Sequence, residues 1–254
     1  MTGSPAADLE TLPASSGGAS SGGAAAEGSP SLPSDEGPAR TSRGRFITFE
    51  GGEGTGKTTQ IRSLVHRLLE IGLPVLRTRE PGGTSGAEMI RQILLSGAAK
   101  TLGPDTEAVL FSAARIDHVD RTIRPALARG TWVVSDRFAD STRVYQGLAG
   151  VEMPLLSAME RISLDGLRPD LTIVLDLDPE VARARAAARR GSTAADRFEE
   201  EGLDSDRARQ RAFRALARSD PKRCVVIDAA APSSDIAETI WRTVVERLCP
   251  HRGL

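Results

Sequence analysis

The sequence predicts an α/β fold in which a five-stranded, mainly parallel sheet is covered by helices on both faces. Three observations carry this. From Arg45 onward, short β-branched runs alternate with longer helical patterns, the alternation that a parallel sheet with crossover helices requires. The runs are mostly apolar, as strands buried on both faces are. A glycine-rich turn joins the first run to the first helical pattern, at the carboxyl edge where open α/β sheets collect their ligands.

With 254 residues, 39% of them hydrophobic, the chain is long enough for one large core or two small ones without disulfide or metal staples. Residues 1 to 43 stand apart. They read as Gly, Ser, Ala and Pro with almost no large apolar side chain, so they cannot offset their ordering entropy and are expected to form a disordered tail. Asp8, Glu10, Glu27, Asp35 and Glu36 against Arg40 and Arg43 make the tail acidic, unlike a transit peptide, and it lacks the apolar block of a secretory signal. The folded domain is expected over 44 to 250.

The formal net charge of −1 argues against a wholesale nucleic-acid or anionic-membrane binder, so any positive surface must be local. No run approaches 18 consecutive apolar residues, so no membrane span is expected. Cys224 and Cys249 have no metal-ligand spacing and read as free thiols in a reducing, cytoplasmic setting.

The first strand, Phe46 to Glu50, runs into GGEGTGKT, residues 51 to 58, which fits G-x-x-x-x-G-K-[ST] with a strand before it and a helix, 57 to 71, after it. Gly51, Gly52, Gly54 and Gly56 let backbone N–H groups turn inward around phosphate oxygens, with Glu53, Thr55 and Thr59 in the same cradle, and the helix N-terminus adds a favourable dipole. Lys57 is placed to reach the β and γ phosphates of a nucleoside triphosphate, and Thr58 to ligate Mg²⁺. The chain has only three lysines, Lys57, Lys100 and Lys222, against 30 arginines. Lysine at this point fits a loop too narrow for a guanidinium.

The second strand, 74 to 79, ends in RTREPGGT and precedes a helix over 84 to 96. A long helical pattern over 105 to 129 has mixed rather than clean apolar character, as a helix bordering a polar cleft does. The third strand, 131 to 136, ends in SDRF. No element is assigned between it and the helix at 153 to 165. The fourth strand, 171 to 176, leads into a helix over 179 to 190 and then one over 203 to 219; the fifth strand, 224 to 228, leads into the last helix, 233 to 248.

A nucleotide loop alone leaves the reaction open. A GTP-dependent switch reads guanine through Asn-Lys-x-Asp, and this chain contains no asparagine and no Asp-x-x-Gly. A phosphotransferase instead needs an acceptor pocket with its own positive charge. Arg79 and Arg137, each at a strand end beside the loop, are suited to fork a phosphate. Asp136, closing an apolar strand, is suited to the magnesium shell.

FEGGEGTGKTT, REPGGT, LFSAARIDHV, DRF and STRVYQG, in this order and spacing, resemble the thymidylate kinase family over about Arg45 to Leu248. The resemblance implies a P-loop nucleoside-monophosphate-kinase fold with a mobile lid, usually a homodimer, that phosphorylates dTMP with Mg·ATP. It implies that Arg79 and Arg137 clamp the dTMP phosphate, that Phe111 stacks on thymine, and that Arg115 bonds its carbonyl edge. Glu53 would lie near the sugar, Tyr145 would crowd the 2′ position, and Thr142 and Gln146 would line the thymine pocket. Phe138 departs from the tyrosine or histidine usual in the family and loses a hydrogen-bonding group there.

The loop also lacks the basic residue that some members carry. Transition-state charge is then expected from a lid at about 183 to 202, rich in arginine, with Arg189, Arg190 and Arg197 as candidates. Another P-loop nucleoside monophosphate kinase, or a deoxynucleoside kinase, is the alternative.

Overall fold

The computed structural model describes residues 43–190 and 201–249. The expected tail, the middle of the expected lid and Arg197 lie outside the described residues. Five parallel strands, β1 (Phe46–Glu50), β2 (Val75–Arg79), β3 (Trp132–Asp136), β4 (Leu171–Asp176) and β5 (Cys224–Asp228), form one sheet in the order β2-β3-β1-β4-β5. The strand that feeds the glycine loop is therefore central. Register aligns Phe49 and Arg79 each with Asp136, so the ends of β1, β2 and β3 meet at one edge.

Side chains alternate between the faces of the sheet, as the strand period demands. Ile47, Phe49 and Val134 join one core cluster with α1 (Lys57–Glu70) and α9 (Ser233–Leu248). Helix α9 presents Ile236, Ile240, Val244 and Leu248 at every fourth position, the spacing of one helical face. Phe46 and Val133 point to the other face, where Phe138 and Leu164 cover them.

Most expected elements stand within a residue or two of their predicted bounds, including α2 (Ser85–Leu95), whose N-cap Thr84 accepts from the Ala87 N–H. The pattern over 105 to 129 is a correction. It divides into α3 (Pro104–His118), a π-helical turn at Val119–Ile123 and α4 (Arg124–Ala128). Pro125 has no N–H to donate and its ring crowds the preceding turn, which accounts for a widened helix just before it.

The second correction is α5 (Ala139–Leu148), a helix the sequence pattern does not reveal. It is followed by α6 (Met153–Leu164), α7 (Pro179–Arg190) and α8 (Leu203–Ser219). None of the helices among the described residues is long and apolar enough to cross a membrane.

Candidate active site

The glycine loop, between the central strand and α1, sits against α7. A Cβ on Gly54 would lie 1.9 Å from the Ala182 carbonyl oxygen, and its φ is +74°, so only glycine fits there. Lys57 is buried and its ammonium donates to the carbonyls of Gly51 (3.2 Å) and Gly52 (2.7 Å). Burial, and then Arg137, push its pKa below the usual lysine range, with Glu53 and Asp136 opposing. The Thr58 hydroxyl donates to Asp136 Oδ2 at 2.9 Å, across from the end of β3.

Beside the loop lies a cavity of about 510 Å³, bounded by α1, the β2 and β3 ends, α3 and α5. Glu53, Gly56, Lys57 and Thr58 of the loop line it directly, together with Asp136 and Arg137 from the end of β3, so loop and cavity form one continuous site. Its lining includes Arg79, Phe111, Arg115, Thr142, Tyr145, Gln146 and Arg189. The expected acceptor residues, drawn from β2, α3, α5, the glycine loop and the turn after β3, are thus brought together.

Arg137 is the hub. It takes a left-handed backbone conformation, φ 69°, and its guanidinium donates to Glu53, to the Tyr145 hydroxyl (3.0 Å) and to Ser141 Oγ (3.0 Å). Burial alone would raise the Glu53 carboxyl, but Arg137 and then Lys57 outweigh it and hold it down, to about 2. Burial pushes the Tyr145 phenol up to about 12, so it stays a neutral donor and acceptor.

Arg79 lies on the cavity wall but is half exposed, and its Nη2 donates to both carboxylate oxygens of Glu88 (2.9 and 3.0 Å). Its pairing with Arg137 is through the shared cavity, with Glu88 holding it to one side. Gln146 is buried and donates to Glu107 at 3.0 Å, while Thr142 accepts from Arg115 at 2.9 Å. Phe138 is core rather than a site residue. It packs edge-on against Phe46 (4.9 Å), and the Arg115 guanidinium lies 5.5 Å from its ring.

The arginine-rich segment divides. Arg183 bonds Asp206 and the Glu201 carbonyl, and Arg185 bonds the Ala229 carbonyl, so both are tied to the body of the domain. Arg189 lines the cavity. The Arg190 side chain lies outside the described residues.

Sequence reasoning missed several groups. Glu50, wholly buried at the end of β1, accepts from the Phe138 N–H (2.8 Å) and from the Ser141 hydroxyl (2.6 Å). Burial, then Asp140, raise its pKa to about 8. Arg91 and Glu80 line the cavity, Arg91 donating to the Pro81 carbonyl, and Glu80 ties Arg115 to the buried His118. A carboxylate closing the apolar run FITFE was the one available signal for Glu50.

A family model described as thymidylate kinase matches residues 49–240. The chain belongs to the thymidylate kinase family. Curated relatives that carry the name thymidylate kinase agree over most of their length. That of Nitrobacter winogradskyi is 56% identical over 210 residues, covering 82% of this chain and 91% of the relative. That of Bradyrhizobium diazoefficiens is 52% identical over 219 residues, covering 85% and 96%. That of Rhodopseudomonas palustris is 54% identical over 211 residues, covering 82% and 92%. Thymidylate kinases are ATP-dependent phosphotransferases, and the all-parallel sheet with its phosphate loop is the P-loop fold that such chemistry uses.

Proposed function

We propose that this site transfers the γ-phosphoryl group of Mg·ATP to dTMP, giving dTDP and ADP for dTTP synthesis. The observation that carries the reading is one cavity lined both by Lys57, Thr58 and Thr59 at the phosphate loop and by the arginines Arg79, Arg115 and Arg137. Gly51 to Thr59 would hold the ATP phosphates. Arg79 and Arg137 would hold the acceptor phosphate, Phe111 would stack on thymine, and Arg115 would donate to its carbonyl edge. Thr142 and Gln146 would complete the base pocket, and Glu53 and Tyr145 would border the sugar.

Thr58 Oγ1 and Asp136 Oδ2 are hard oxygen donors 2.9 Å apart, a sparse set that suits an ion keeping several waters and taking substrate phosphates. Among the described residues no cluster of three or more His, Cys, Asp or Glu side chains offers a richer site. A Mg²⁺ held there supplies neutralisation of phosphate charge.

In the reaction a dTMP phosphate oxygen attacks the γ-phosphorus in line, forming one P–O bond as the bond to ADP breaks. A phosphate monoester has a second pKa near ~6, so the nucleophile needs no general base at neutral pH. The protein aligns two polyanions that repel, with Lys57, Arg137 and a lid arginine as counter-charge. Of Arg189, Arg190 and Arg197, Arg189 already faces the cavity. A deoxynucleoside kinase would need a base for a hydroxyl acceptor, and Glu53, held near 2, is a poor one.

We propose further that the chain acts in the cytoplasm as a homodimer, residues 44 to 250 forming the kinase domain. Its two cysteines, Cys224 and Cys249, are buried. Exposed apolar side chains on α2, α3 and α6 support the dimer.

The test is a panel of nucleoside monophosphates and nucleosides offered with Mg·ATP to the chain and to Lys57→Ala, read by ADP release. dTMP is expected to be preferred, and Lys57→Ala to turn over at least ~10²-fold more slowly while unfolding normally. Preference for a nucleoside, or near-normal turnover by the variant, would sink the reading.

A further inference from the structure

Behind Arg115 the described structure holds a chain of buried polar groups that the phosphoryl transfer does not use. Arg115 is 3% exposed, Glu80 6% and His118 0%. Arg115 Nε donates to Glu80 Oε2 at 2.8 Å, and an Nη2 hydrogen goes to Thr142 Oγ1 at 2.9 Å. The other Glu80 oxygen lies 3.0 Å from His118 Nδ1, and His118 Nε2 lies 2.7 Å from the Thr78 hydroxyl. A carboxylate that accepts from Arg115 on one oxygen accepts the Nδ1–H on the other, which leaves Nε2 to accept from Thr78. The imidazole is fenced in as well: a Cβ on Gly83, whose φ is +89°, would lie 2.5 Å from His118 Nε2.

Burying a charged fork and a carboxylate is costly unless both are fully bonded, so such a network fixes geometry more than it adds stability. Here the geometry it fixes is that of Arg115, whose side chain lines the cavity. A guanidinium donates and never accepts. A pyrimidine with a 4-oxo group offers it an acceptor, whereas a 4-amino group meets it donor to donor. An arginine free to swing aside would tolerate the second; one pinned at Nε and Nη2 would not.

We propose that Glu80 and His118 are positioning residues that hold Arg115 as a fixed donor and thereby set the choice of 4-oxo over 4-amino pyrimidine monophosphates. This rests on the reading of Arg115 as the thymine partner. Kinetics of the full chain with Mg·ATP, and dTMP or dCMP as acceptor, test it in Glu80→Gln, His118→Asn, His118→Gln and Arg115→Ala. Loss of one charge-assisted hydrogen bond is worth about tenfold. Glu80→Gln is therefore expected to raise KM for dTMP and lower the dTMP to dCMP ratio of kcat/KM, each by about tenfold, with kcat and KM for ATP changing far less. His118→Asn keeps a nitrogen on the Glu80 side and should stay near the parent; His118→Gln, which loses it, should follow Glu80→Gln.

If Glu80→Gln does not unfold cooperatively, the two His118 variants decide. A folded Glu80→Gln or His118→Gln with unchanged KM and unchanged ratio overturns the positioning role, as does a uniform loss in kcat and both KM values. Failure of the parent to use dTMP, or an unchanged base preference in Arg115→Ala, would instead overturn the reading of Arg115 itself.

Discussion

Glu50 shows how a single residue ties fold to site. Its carboxylate is wholly buried, takes the Phe138 N–H and the Ser141 hydroxyl, and through Ser141 reaches Arg137. Burial and Asp140 raise its pKa from an ordinary 4.5 to about 8, so between those values the unfolded chain releases a proton that the folded one keeps. The contribution is present below 4.5 and is lost as pH rises toward 8. Glu53 acts in the opposite sense and lower: Arg137 and Lys57 depress it to about 2, so its contribution is present above 4.5 and is lost as pH falls toward 2. Because the windows do not overlap, Glu50 can be tested alone. Glu50→Gln, uncharged and of the same shape, is expected to flatten the decline of denaturant midpoint between pH 4.5 and 8. Parallel midpoint curves for parent and variant would show that the decline has another source.

At the scale of elements, legibility followed the source of burial. Strands and helices that bury apolar stripes, such as α9 with its fourfold spacing, are plain in the sequence. Helix α5 is not, because the side chains it buries, Ala139, Asp140, Ser141, Thr142, Val144 and Gln146, are mostly polar, and a helix that walls a polar cavity shows no apolar stripe. The same cause hides Glu80 and His118: nothing local tells a buried, bonded charge from a solvated one. Motif spacing made the loop legible, and the family resemblance pointed to Arg115 and Tyr145, which line the cavity, yet neither could tell that Arg79 would be turned toward Glu88 or that Phe138 would be core. The contact between loop and α7 was equally invisible, and it yields a prediction. Gly54→Ala must move backbone against the Ala182 carbonyl and take a left-handed φ, at a cost of about 1 to 3 kcal/mol, so it should lower the melting temperature and raise KM for ATP. Gly52→Ala is the control. Its Cβ would meet only the Thr55 methyl, at 3.9 Å, and the melting temperature should hold.

For the whole molecule, helix α3 would link the proposed dimer to recognition. Phe111 and Arg115 line its cavity side, while Val109 and Ile116 are exposed on the same helix. α2 packs on α3, and α3 on α6, and these neighbours expose Met89, Ile93, Met153 and Ile162. Stable interfaces bury about 800 Å² per partner, which three adjacent helices carrying such side chains can supply. A charge placed at Met89, 64% exposed, should cost the single chain no more than about 0.5 kcal/mol, because it stays in water there. In a dimer that covers this face it would be buried unpaired. Light scattering on the eluting protein is thus expected to give twice the mass of one chain for the parent and a shift toward one chain for Met89→Glu, with little change in unfolding. Loss of the partner would also leave the outer side of α3 unsupported, so KM for dTMP should rise in the variant more than KM for ATP. A parent that elutes at the mass of a single chain would remove the dimer from the proposal and leave the cavity chemistry standing.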